Sequence, residues 1–265
     1  MTISNSQNVV PTREARLNSV IAFGGTGKEL VRSTKQKCLK QLDRGFSQCA
    51  ACDEMMPLIN SALIEGNVVV AHSPIGCASI LANIPMFKNI GRGLRGQNPD
   101  IVKIISTNLG EDSVVFGGVS NLEEAILEAE RRYHPPMITI ITSCATGIIG
   151  DNIESVVSKV QPKVKATIVP MHCEGFRSGV VSTGYDAFLI SLMKMIEEPK
   201  NKRSDTLLVV NPFTIARANE VEIERILAKI GIKVQWFPLF TDVENIRNAS
   251  EVGGIATLCN LMSNY

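Results

Sequence analysis

The sequence has no apolar run approaching the roughly 18 residues needed to cross a bilayer. Met1 to Val20 mixes polar and charged side chains and holds no apolar core of roughly 7–15 residues of the kind a secretion signal carries. Those two absences predict a cytoplasmic chain. Base does not exceed acid to any useful degree: 27 Lys and Arg face 26 Asp and Glu, which argues against nucleic acid or an anionic membrane as partner. A small molecule or a docked protein fits better. Two familiar motifs are incomplete. The run Gly24-Gly25-Thr26-Gly27-Lys28 lacks the spacing of a phosphate loop and has Glu29 where Ser or Thr should reach magnesium, so a flexible turn is expected. Cys49 and Cys52 have the C-x-x-C spacing, but no second such pair and no closely spaced histidines accompany them, which leaves a zinc ribbon unsupported. The polar stretch Asp43 to Gln48 is not the strand that a thioredoxin motif wants before it.

What the chain does have is seven cysteines in 265 residues. An odd number fits a disulfide framework poorly, so reduced thiols are expected, free for metal or redox chemistry. Cys77 closes His72-Ser73-Pro74-Ile75-Gly76-Cys77, directly after the apolar run Val68 to Ala71. Such a run reads as a buried parallel strand, and loops leaving the carboxyl ends of parallel strands are where open α/β sheets bind ligands. Pro74 and Gly76 suit a tight loop that aims one thiol. Cys144 likewise follows the apolar run starting at Ile138, and Cys52 precedes the first strand. Three thiols beside strand ends could converge as they do around an iron-sulfur cluster.

Strands are predicted at 68–71, 101–105, 138–142 and 164–169, alternating with helices. One helix places Leu122, Ala125, Ile126 and Ala129 on its apolar face and stops at Pro135-Pro136. Another runs from Ile153 to Val160 with Asp151 as its N-cap, and a third covers 186–196. The charged stretch 197–204 is the linker candidate. Beyond it come a strand at 207–210, a helix at 220–230 and a strand at 232–237, one β-α-β unit. The fold class is therefore α/β, with Rossmann-like domains built on parallel sheets. Its parts are an N-terminal arm at 1–44, a domain at 45–203 carrying the thiols, and the start of a second at 204–265. So few elements follow the linker that a C-terminal domain is expected to be missing.

Taken together, Cys52, the loop at 72–77, Val114-Val115-Phe116-Gly117-Gly118, the run 143–156 and the run 169–178 resemble the nitrogenase component 1 family, in particular its alpha-type subunit. The resemblance covers about residues 45–265 and implies a nitrogenase-like fold. It further implies that Cys52, Cys77 and Cys144 hold an iron-sulfur cluster at a subunit interface, a P-cluster in nitrogenases or a 4Fe–4S cluster in relatives, with Cys49 the rival to Cys52. Cys259, six residues before Tyr265, resembles the cysteine that binds an iron-sulfur cofactor with or without Mo or V. Tyr185 stands where molybdenum nitrogenase has a histidine above that cofactor. With a phenol pKa near ~10 it is a poorer proton shuttle at neutral pH, which argues against dinitrogen as substrate.

The implied activity is an oxidoreductase acting on a small molecule. Its implied partners are an ATP-dependent iron protein that delivers electrons and a homologous beta-type subunit in an α2β2 assembly. Alternatives are a methylthio-alkane reductase, a cofactor-assembly scaffold, and a tetrapyrrole reductase, which would not need Cys259. His72 is read as a satisfied structural group, Glu174 and Arg177 as exposed charges, Cys173 as packing and Cys38 as incidental.

Overall fold

A computed structural model describes residues 26–35, 52–174, 182–211 and 217–258; Cys38, Cys49, Arg177 and Cys259 lie outside them. The chain divides into two compact units, 1–49 and 50–265. In the first, the described residues form helix α1 (Gly27–Lys35), which corrects the flexible turn expected there from Gly27 onward; Gly24 and Gly25 lie outside the described residues. The Thr26 hydroxyl accepts the Glu29 N–H at 3.3 Å, while the Glu29 carboxylate accepts from the Thr26 N–H and hydroxyl at 2.7 and 2.8 Å. That reciprocal arrangement is a capping box, and it starts a helix where the glycines suggested none.

The second unit carries two parallel sheets. In the first, strands β1 (Asn67–His72), β2 (Ile104–Ser106), β3 (Met137–Thr142) and β4 (Thr167–Met171) lie in the order β2-β1-β3-β4. The chain goes from β1 to one side and then returns to the other, so β1 and β3 become neighbours. They pair over their full length, from Asn67 with Met137 to His72 with Thr142. Every residue of both is buried, which is why they read as unbroken apolar runs.

One face of this sheet packs on amphipathic helices. Helix α2 (Met55–Ala62) precedes β1; α3 (Ile75–Ala78) and α4 (Ile84–Gly93) lead to β2; α5 (Glu111–Phe116) and α6 (Val119–Tyr133) lead to β3; α7 (Cys144–Ile149) and α8 (Ile153–Val160) lead to β4. Leu122, Ala125, Ile126 and Ala129 of α6 and Ile153, Val156 and Val160 of α8 pack on Val68, Val70, Ile138 and Ile140. On the opposite face, Leu58 of α2 joins Phe188, Leu189 and Leu192 of α9 (Ser182–Met193) against Val69, Ala71 and Ile141.

The second sheet has β5 (Arg203–Asn211), β6 (Lys233–Pro238) and β7 (Val252–Thr257) in the order β6-β5-β7, with α10 (Arg217–Ala228) and α11 (Val243–Arg247) between strands. Leu208 of β5 and Phe237 of β6 belong to the same core as Leu58 and Phe188. The polar stretch before β5 is tied down: the Glu197 N–H donates to the Arg247 carbonyl at 2.8 Å, and the Asn201 N–H to Glu251 at 3.2 Å. Arg95 also reaches the second sheet's helix, donating to both carboxylate oxygens of Glu220 at 2.6 and 2.7 Å.

Candidate functional site

The strand order puts a topological switch point between β1 and β3, the place where open α/β sheets bind ligands. Cys77 lies just past β1 and Cys144 just past β3. After β1, Pro74 adopts φ −57° and the chain turns into α3, with the Cys77 N–H donating to the Pro74 carbonyl at 3.1 Å. Gly76 sits in that helical turn with open space around it, so no left-handed backbone or close approach demands glycine there. After β3, Ser143 caps α7: its hydroxyl accepts the Thr146 N–H at 3.4 Å, and Thr146 Oγ1 accepts the Ser143 N–H at 3.0 Å. Cys144 is thereby fixed as the first residue of the helix.

Cys52 comes from a third direction, ahead of α2, and its carbonyl accepts the Met55 N–H at 3.1 Å. Gly184 of α9 presses on this loop; a Cβ added there would stand 2.2 Å from the Asp53 carbonyl oxygen. Cys52 and Cys144 lie close enough to act electrostatically on the Cys77 thiol. The Cys77 thiol is pushed up to about 12, by burial first, then by the charge of Glu54 and a hydrogen bond to it, then by Cys52 and Cys144. Cys52 is raised as well, by burial first and also by Glu54 and Cys144. Burial and neighbouring charge thus favour the protonated form of Cys52 and Cys77, and a metal bound there would displace those protons.

No motif pointed to Glu54, which stands in the middle of this group. It is 2 % exposed, and burial lifts its carboxyl to about 7, with Cys77 and Ser73 close enough to oppose the rise. Neither Glu54 Oε1 nor Ser73 Oγ has a hydrogen-bond partner of good geometry. Among the described residues no three His, Cys, Asp or Glu side chains are grouped to hold a single metal ion. A cluster makes a different demand, because each thiolate binds a different iron. Cys77 and Cys144 at the switch point with Cys52 nearby, beside buried oxygens without partners of good geometry, fit an iron-sulfur group.

A second network fixes the loops behind the thiols. His72 is fully buried, with Nδ1 3.1 Å from Thr107 Oγ1 and Nε2 3.1 Å from Asp151 Oδ2. Burial lowers its pKa, against the pull of Asp151. Both Asp151 oxygens also accept the Gly118 N–H, at 3.0 and 3.1 Å. The expected N-cap of α8 is therefore corrected: Asn152 caps it, accepting the Ser155 N–H at 2.9 Å, because Asp151 is engaged in the interior. Glu174 is corrected too, being 4 % exposed beside the Thr142 hydroxyl at 3.3 Å. Cys173 is buried in the core as packing, its N–H donating to Thr142 Oγ1 at 2.9 Å. Tyr185 is buried in the same core on α9.

The helices that begin near Cys77 and Cys144, and α5 packed against the second of them, expose apolar side chains. Ile75, Val114, Val115, Phe116 and Ile148 are all exposed, Phe116 by 85 % and Ile148 by 76 %. No helix among the described residues is long and apolar enough to cross a membrane.

The family model for "Nitrogenase component 1 type Oxidoreductase" matches residues 52–265. The nitrogenase iron-molybdenum cofactor biosynthesis protein NifE of Clostridium pasteurianum is 32% identical over 230 residues, 85% of this chain and 47% of that protein. The NifE of Methanococcus maripaludis is 30% identical, over 64% of this chain and 35% of its own length. The nitrogenase molybdenum-iron protein alpha chain of C. pasteurianum is 29% identical, over 76% of this chain and 38% of its own length. The solved structure "Nitrogenase Cp1 at pH 5" superposes with a TM-score of 0.69 at 24% identity, over 85% of this chain and 46% of that one, a likeness of fold. The chain thus spans between about a third and a half of the length of these relatives.

Proposed function

The chain belongs to the nitrogenase component 1 type oxidoreductase family, and from that membership we propose that it is the alpha-type subunit of a nitrogenase-like reductase. The observation that carries this is the set of thiols at Cys52, Cys77 and Cys144, mutually interacting at the switch point of the first sheet. These three residues would hold an iron-sulfur cluster from this chain's side. Such a cluster, when bound, supplies one-electron transfer. The protein's share is to aim the thiols, exclude water from beneath them and keep the loops in register through the His72–Asp151–Gly118 network.

The apolar rim of Ile75, Val114, Val115, Phe116 and Ile148 supports a partner surface over the thiols, since exposed patches of this kind mark docking sites. A homologous beta-type subunit is the occupant we propose, in an α2β2 assembly, with an ATP-dependent iron protein as electron donor. Cys259, two residues past the end of β7, lies outside the described residues and is proposed as ligand of a metal-sulfur cofactor. Tyr185 is proposed to act beside that cofactor in reduction of a small substrate. The division into Rossmann-like domains at 45–203 and 204–265 is part of this proposal, each carrying most or all of one parallel sheet.

A second reading is favoured by the NifE relatives, one of which matches 85% of this chain: a scaffold that assembles a cofactor and passes it on. Anaerobic purification with the partner subunit, followed by iron, molybdenum and vanadium analysis, tests the cluster. Iron should be retained and should fall several-fold in Cys77→Ala and Cys144→Ala; iron unchanged by either substitution overturns the assignment. Steady ATP-dependent turnover with the iron protein selects the reductase. Metal transfer to an acceptor protein without turnover selects the scaffold.

A further inference from the structure

We propose that Glu54 supplies a fourth donor from this chain, a carboxylate oxygen, to the iron-sulfur cluster held by Cys52, Cys77 and Cys144. This rests on the reading that those thiols hold a cluster.

The placement of Glu54 argues for it. Glu54 is the N-cap residue of α2, where an acid ordinarily accepts a backbone N–H of the first turn or meets the positive end of the helix. Its side chain makes no such cap. The carboxyl is turned instead toward the Cys77 thiol and Ser73, at 2 % exposure. Oε1 has no hydrogen-bond partner. The Cys77 thiol hydrogen-bonds the carboxyl, but a thiol is a weak donor; a buried carboxylate oxygen left without a partner of good geometry is unfavourable, and such oxygens are kept where they meet a cation or a metal.

The backbone leaves little freedom to escape. The Glu54 carbonyl accepts the Leu58 N–H at 3.2 Å, and the Asp53 carbonyl just before it lies against Gly184. The backbone that carries the carboxyl is thus fixed by α2 and, through Asp53, by α9. Iron accepts carboxylate oxygen as well as thiolate sulfur, so one iron can take Glu54 while its neighbours take cysteines. Ser73 Oγ, also buried without a partner, is the competing oxygen. As a neutral hydroxyl it is less costly to leave unpaired than a carboxylate, which favours Glu54.

The test uses the full chain with its partner subunit, loaded with 57Fe and purified without oxygen. Mössbauer and EPR spectra would be recorded for the unsubstituted protein, Glu54→Gln, Glu54→Asp and Ser73→Ala. The expected result is one iron site with the larger isomer shift of oxygen ligation in the unsubstituted protein. That site should be lost in Glu54→Gln at unchanged iron content, and kept in Ser73→Ala. Glu54→Asp should retain an oxygen-ligated site with altered parameters. An unsubstituted spectrum with sulfur-ligated iron alone overturns the proposal, whether or not the variants fold. So does an oxygen signal that survives Glu54→Gln or disappears in Ser73→Ala. Absence of iron from the unsubstituted protein would instead remove the thiol reading on which this one stands.

Discussion

The two sheets share one plan and differ in how far they are enclosed. In each, the first strand lies inside, with the second on one flank and the third on the other. In the first sheet the two inner strands are buried at every residue, with helices on both faces. In the second, β7 alternates between half-buried and exposed residues, and Ile255 is 66% exposed. Enclosure is what lets the carboxyl end of the first sheet hold charged and polar groups in fixed places. The interior His72–Asp151 pair and the Thr142 contacts sit at the carboxyl ends of β1 and β3, which are buried to their last residues.

Three substitutions probe that contrast, beginning with the largest effect. Gly184→Ala drives a methyl into the Asp53 carbonyl at 2.2 Å, a backbone atom with little room to yield. It should cost about 3 kcal/mol, or displace the Cys52 loop. Urea unfolding reads the first outcome and iron content the second; a variant normal in both would mean that α9 does not position the loop.

Asp151→Ala should follow at about 2–3 kcal/mol, because it strips a buried histidine and the Gly118 N–H of their shared acceptor. A thermal midpoint within a degree or so of the parent would contradict the role given to this network. Ile255→Thr in the second sheet should change stability by no more than about 0.5 kcal/mol, since the side chain is largely exposed. A much larger loss would show that the outer face of this sheet is covered, and the contrast between the sheets would weaken.

How much was legible depended on burial. The inner strands were anticipated nearly in full, at 68–71 and 138–142 against Asn67–His72 and Met137–Thr142, because burial on both faces writes an apolar run. The edge strand expected at 101–105 is Ile104–Ser106, and it is only half-buried, so its pattern is weaker. The helix stripe from Leu122 to Ala129 is the buried face observed. The capping box at Thr26 and Glu29 was available as a T-x-x-E spacing but was masked by the glycines around it. Asp151 had the chemistry of a cap, and the approach of His72 from 79 residues away and of the Gly118 N–H from 33 away gave it other partners. Glu54 had no signal at all: an acid directly after Asp53 looks like a surface charge until burial sets it against Cys77.

From the residues alone came the parallel α/β class, the position of each thiol relative to its strand, and the resemblance to a family that the later comparisons support. Those are local properties, written in runs of neighbouring side chains. Tertiary structure decided that β1 and β3 are adjacent, which gathers sulfur atoms from distant segments, and that Glu54 and His72 are interior. Parallel pairing needs a long crossover, so adjacency in a sheet is a choice among chain paths that no local pattern encodes.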